Sequence, residues 1–317
     1  MTHKERFIKA LKREPITGLV PHFELVFYLT MESLGKVHPT HRKFYQWNQM
    51  SSEEKQTQYN DIAWVYVETA RKYNHSAIFV HSSIADYDMT APVLETIRRM
   101  SNDEYFIMLH GDPTYSIPDG NSMLDFTTQM YEEPEKLKET AKSNVENFTK
   151  CAKAFESSGL IDGFALCSDY CFNTNPFFSN DMFDEFIVPY LKETIKNYRN
   201  MGYYSIKHTD GNIMPILKQM VDCEPDALHS LDPQGGVSLF EVKKLCGDRV
   251  CLIGNVNCGL LQTGTDDECI KDILRSLKEG MDGYGYIFST SNCIYTGMPL
   301  KRYEMMVDLW KKYGVYK

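Results

Sequence analysis

The stretch GYYSIKHTDGNIMPILKQMVDCEPDALHSLDP, residues 202–233, holds two short apolar runs, 203–207 and 227–230, with a segment of helical spacing between them. His208 and Asp210 close the first run; His229 and Asp232 close the second. A strand, a helix and another strand within about thirty residues form a unit whose strands pair in parallel through a right-handed crossover. The same alternation recurs along the chain. Strand-like runs are expected at 19–25, 76–80, 105–109, 161–166, 203–207, 227–230, 250–254 and 284–288. Helical patterns such as 134–157 and TDDECIKDILRSLKEG fall between them, several ending at a glycine.

Eight strand-helix units favour a closed (β/α)8 barrel of the TIM type over an open sheet, and a single domain over residues 1–317. The first half carries long βα loops, about 30–60 and 111–133, of a length that is commonly functional. There is no linker, no fixed-period repeat and no low-complexity stretch.

Bulk properties narrow the partners. With 34 basic against 43 acidic side chains the formal charge is −9, which argues against nucleic acid or an anionic membrane. The opening MTHKERFIKALKREP reads as a charged amphipathic helix rather than a secretory signal, and no run is long enough to span a membrane. The expected location is the cytoplasm. Nine cysteines without paired CxxC spacing are expected to be mostly free, buried thiols in a reducing compartment.

In a barrel of this kind catalytic groups gather where strands end. The polar residues at those ends include Glu24, His81, His110, Asp112, Cys167, Asp169, His208, Asp210, His229, Asp232, Asn255, Asn292 and Cys293. Turn chemistry accounts for Asp112 before Pro113 and Asp232 before Pro233, and Asp210-Gly211-Asn212 can cap the helix that follows. It does not account for histidines recurring at the ends of strands two, three, five and six.

His208 and Asp210 are two apart on an extended stretch, so both side chains leave the same side of the strand. An imidazole beside a carboxylate suits a divalent metal, or a base held in one tautomer by its acid. Cys293 follows strand eight, from where its loop could approach that of strand five and complete a His208/Asp210/Cys293 ligand set. Aromatic residues crowd the same loops. Phe23, Phe27 and Tyr170, with His81, Asn255 and Asn292, are the candidates for lining a substrate site.

The segment from HTDGNIMP through IGNVN, followed by GYIFSTSNCIYTGMPLKRYEMMVD, resembles the C-terminal half of the uroporphyrinogen decarboxylase superfamily. The resemblance covers most of 160–312 and implies a TIM-type barrel with a large cleft at its C-terminal face. True decarboxylases of this superfamily grip substrate carboxylates with an arginine-rich N-terminal stretch; PHFELVFYLTMESLGK here contains no arginine. The other arm holds methyltransferases that work with a corrinoid protein, among them a branch binding zinc through His-x-Cys and a cysteine after strand eight. His208 and Cys293 match that pattern, while Asp210 stands where the first cysteine would be. The resemblance therefore implies methyl transfer between a small methylated donor, such as a methoxylated aromatic or a methylamine, and a cobalamin carried on a partner protein. In that reading His208, Asp210 and Cys293 hold a zinc ion or the activating proton, and Glu24 or His229 serves as general acid. A decarboxylase of a tetrapyrrole or smaller carboxylate is the alternative activity, and a non-catalytic corrinoid carrier the alternative class.

Overall fold

The computed structural model describes residues 1–317. Seven parallel strands form one curled sheet in chain order: β2 (Ala77–Val80), β3 (Phe106–His110), β4 (Gly163–Cys167), β5 (Tyr204–Thr209), β6 (Ala227–Ser230), β7 (Cys251–Val256) and β8 (Tyr286–Thr290). Helices follow the strands and cover the outside, as the alternating pattern requires. Sequence and structure agree closely here; 227–230 is matched end to end, and the other strands are displaced by one or two residues.

The first strand differs from its expectation. Only β1 (Gly18–Leu19) forms a ladder, and its partner is the antiparallel β9 (Val315–Tyr316). The following residues close the barrel between β8 and β2 through separate bonds. Phe288 N–H donates to the Pro21 carbonyl at 2.8 Å, Phe23 N–H to the Phe288 carbonyl at 3.1 Å, and Ser76 N–H to the His22 carbonyl at 2.6 Å. Pro21 has no N–H to offer, so a continuous ladder cannot run through it.

Alternation along the strands sorts the residues into two populations. Those facing outward join the large cluster beneath the helices, among them Ile78, Ile107, Leu166, Leu228 and Leu252. Those facing inward, including Phe79, Met108, Ala165, Ile206, Ile253 and Ile287, fill the barrel. The N-terminal helix His3–Leu11 plugs the bottom. It is started by a capping box between Thr2 and Glu5, and it inserts Phe7 against Phe23 and Phe106, with ring centroids 5.8 and 4.8 Å away. Full burial of such a side chain contributes about 2 kcal/mol.

Two residues further up, the inward positions become His81, His110, Cys167, His208, His229 and Ser289 on six of the seven strands; on β7 the position is Asn255. The barrel's polar surface is thus an upper layer resting on an apolar one. None of the helices is long and apolar enough to cross a membrane. All nine cysteines are free thiols, six of them buried.

Candidate active site

The HTDGN turn after β5 is wedged between its neighbours. A side chain on Gly211 (φ +78°) would come within 2.5 Å of the Phe172 carbonyl oxygen, and one on Gly235 within 2.4 Å of Gly211 itself. Glycine at 211 therefore satisfies both a left-handed backbone and a close approach. Asn212 fastens the turn, its N–H donating to the Phe172 carbonyl at 2.9 Å while its side-chain oxygen accepts from Met214 N–H at 3.2 Å.

This packing brings Asp169, from the loop after β4, to the β5 pair. Asp210 N–H donates to Asp169 Oδ1 at 3.0 Å. His208 Nε2 lies 3.9 Å from Asp169 Oδ1 and 3.8 Å from Asp210 Oδ1, and one ligand atom from each of the three side chains falls within 4.8 Å of the others. Asp210 Oδ2 accepts from the Asn292 amide, whereas Asp210 Oδ1 is buried with no hydrogen-bond partner. Burial holds the Asp210 carboxyl above the usual carboxylate range; His208 opposes this, and the nearby Asp169 and Asp232 reinforce it. Burial raises Asp232 as well, and that side chain also caps its own turn by accepting from Gln234 N–H at 2.9 Å.

His208 is held from behind. Its Nδ1 is 2.8 Å from His229 Nδ1, and the His229 Nε2 is 3.5 Å from Ser289 Oγ. Burial and the facing His208 push His229 well below the ordinary imidazole range, against an opposing bond to the Thr290 backbone. Ser289 donates to Glu24 Oε2 at 3.3 Å, and the same oxygen accepts from Thr290 N–H at 3.2 Å and Thr290 Oγ1 at 2.6 Å. Glu24 Oε1 faces His22 Nε2 at 3.3 Å, and His22 Nδ1–H donates to the Tyr73 carbonyl at 3.1 Å.

The other expected residues fall elsewhere. Cys293 lies beside the group without joining it: its thiol donates to Asn292 Oδ1 at 2.9 Å, and burial, with Asp210 and other carboxylates nearby, pushes that thiol up to about 11. Phe23 is corrected from substrate contact to barrel core beside Phe7. Phe27 is corrected likewise, packed between Tyr73 and Tyr303 under the outer helices. Tyr170 is wholly buried, its hydroxyl 2.6 Å from Thr114 Oγ1 and its ring over Lys207 Nζ. Asn255 points into the wall, donating to the Leu231 carbonyl at 2.7 Å and accepting from Arg275 at 3.0 Å. Glu24 and His229, expected as general acids, sit behind His208, with Glu24 engaged as an acceptor. His81 and Asn292 do stand at the strand ends, and His81 Nε2 is buried without a partner. Burial, with His110 and His41 nearby, lowers His81 to about 4.

Sequence reasoning placed Asp169 among the strand-end polar residues without joining it to His208, because nothing in one sequence fixes how the loop after β4 folds. It also missed a buried ion pair between Lys207 and Asp112, 2.7 Å apart and fully enclosed, which ties β5 to the loop after β3. The signal was a lysine inside an apolar strand, since a buried lysine needs an acid. No unpaired cation stands at the mouth: Lys207 is committed to Asp112, Arg42 in the early loop pairs with Asp61, and Arg199, Arg249, Arg275 and Arg302 each pair with a carboxylate of the outer shell.

Residues 115–313 match the model of the uroporphyrinogen decarboxylase (URO-D) family. The chain belongs to that family. No curated protein matches this sequence at a significant level. Among solved structures, a methyltransferase from Methanosarcina mazei superposes with a TM-score of 0.77 at 18% identity, over 99% of each chain. A 3-keto-D-glucoside 4-epimerase from E. coli aligns more loosely, with a TM-score of 0.48 and 10% identity over 79% of this chain and 94% of that one. The fold shared with that methyltransferase thus extends over the early part of the chain, before residue 115, that the family model does not cover.

Proposed function

We propose that this uroporphyrinogen decarboxylase family member is a methyltransferase that moves a methyl group between a small methylated donor and a corrinoid carried on a partner protein. The observation that carries the reading is the mouth's donor set: a histidine with two aspartates converging on one point, and no free arginine or lysine beside them. A substrate rich in carboxylates would meet like charge there. A divalent cation would meet oxygen and imidazole donors, including the otherwise unpartnered Asp210 Oδ1.

The three side chains fit such an ion, and Asp169, His208 and Asp210 would hold it. When bound, it would act as a Lewis acid on the heteroatom bearing the methyl group, improving the leaving group. With two carboxylates and one imidazole the set is harder than a zinc-thiolate centre, which favours an ether or amine over a thiol. Asn292 holds Asp210 in place through its second oxygen. Beside the upper layer, a cavity of about 240 Å³ is lined by Phe44, Trp47, Tyr59, Tyr66, His81 and Arg42. Its aromatic walls suit a methoxylated ring. The chain has no DxHxxG segment for ligating a corrinoid, so the corrinoid is the partner's cargo.

The test is a panel of methoxylated aromatics and methylamines offered with reduced cobalamin to the metal-loaded protein, with uroporphyrinogen as a control. Methylcobalamin formed from one member supports the reading. Decarboxylation of the control without methyl transfer from any member would replace it.

A further inference from the structure

The outer residues behind His208 settle which of its nitrogens carries the proton. Glu24 Oε2 accepts from Thr290 N–H and from the Thr290 and Ser289 hydroxyls, so Ser289 spends its one proton on the carboxylate. Its oxygen is then an acceptor for His229, whose Nε2 lies 3.5 Å away, and Nε2 carries the N–H. The His229 ring is fully enclosed with no carboxylate against it, so it carries a single proton, and with that proton on Nε2 its Nδ1 is bare. His229 Nδ1 is 2.8 Å from His208 Nδ1, and of two nitrogens in such contact one must donate. His208 is therefore the donor, with its proton on Nδ1 and the lone pair of Nε2 directed between Asp169 and Asp210.

We propose that Glu24, Ser289 and His229 are positioning residues which, through this relay of hydrogen bonds across the barrel wall, hold His208 in its Nδ1–H tautomer and so present Nε2 to a divalent cation. The proposal rests on the reading of Asp169, His208 and Asp210 as a cation site. It concerns where the proton sits on each neutral ring. A lone pair facing two carboxylates is repelled by both; a cation between them turns all three into ligands. Partners one step behind a ligand typically alter metal affinity 10- to 100-fold when removed. His22, beyond Glu24, anchors the far end of the relay through the Tyr73 carbonyl.

The experiment is long-range nitrogen-proton correlation NMR on ¹⁵N-histidine-labelled, metal-free protein, with His208→Gln and His229→Gln identifying two of the nine histidines. The expected spectrum shows His208 protonated at Nδ1 and His229 at Nε2. Reversed tautomers, or either ring protonated at both nitrogens, overturn the proposal. Ser289→Ala should abolish the single tautomer and weaken Co²⁺ binding by roughly 10- to 100-fold, while Ser289→Thr, which keeps the hydroxyl, should restore both. An unchanged His208 tautomer in Ser289→Ala overturns the relay. Wild-type protein with the expected tautomers but no Co²⁺ uptake supports the relay and overturns the cation reading, so the two failures are told apart.

Discussion

The inside of this barrel is two layers one side-chain step apart, and they obey different rules. The lower layer, with Phe79, Met108, Ile206, Ile253 and Ile287 over the Phe7 plug, is apolar and closed. The upper layer, reached by moving two residues along the same strands, consists of His81, His110, Cys167, His208, His229 and Ser289, with Asn255 at that position of β7. The same backbone thus supplies a core and a site, and only the residue type at each register position separates them. Stability is expected to depend on the lower layer and chemistry on the upper.

Four substitutions or conditions strain this separation, in order of decreasing effect. Replacing Asp169 and Asp210 together by Asn keeps the volume but removes both charges around His208 Nε2. Divalent-cation affinity should fall by more than roughly 100-fold by calorimetric titration, with thermal stability unchanged or raised, since two mutually repelling carboxylates are removed. One layer down, Ile253→Ala should behave in the opposite sense. Ile253 is wholly buried, so the truncation should cost about 2–4 kcal/mol in urea unfolding while the folded fraction binds the cation as the wild type does.

Acid should reach the upper layer before the lower one. Burial lowers His81 of the upper layer to about 4 and His38, in the early loop just before the turn Pro39–His41, to about 3, so the unfolded chain binds protons that the folded chain refuses once the pH drops below about 6.5. Stability should be flat with respect to these two groups above that point. It should then decline through pH 4 and towards pH 3, each histidine contributing at most about 1.4 kcal/mol per pH unit. Denaturant titrations at stepped pH check this, and His81→Phe should remove part of the decline. The smallest effect is expected at Cys293. Its thiol is protonated and bonded to Asn292, so Cys293→Ser should change cation affinity by no more than about fivefold.

The strands and the barrel were legible in the sequence because a period of two with turn residues at the ends is a local signal, and 227–230 shows it clearly. His208, at the end of β5, and Asp210, just beyond it, do converge, together with Asp169. What could not be read was phase and loop packing. Around strand one Pro21 breaks the ladder, so the level of Phe23 in the barrel was misjudged and the residue was expected at the mouth. Asp169 joins the site because Gly211 lets the turn after β5 press against Phe172, a contact between segments about forty residues apart. Glu24 was recognisable as a buried acid near the site, yet its acceptor role depends on Thr290 and Ser289, more than 260 positions away.

The central claim is that the upper layer is a cation-dependent methyl-transfer site, and the most direct measurement pairs metal content with methyl transfer in wild type and His208→Ala. The wild type, purified without chelator, should hold one divalent cation per chain and convert reduced Co(I) cobalamin to methylcobalamin with a methoxylated aromatic or methylamine, releasing the demethylated phenol or amine. The variant, folded as judged by its unfolding transition, should hold none and convert none. Equal conversion by the two proteins, or a wild type that holds no cation and yet turns over, would contradict the account.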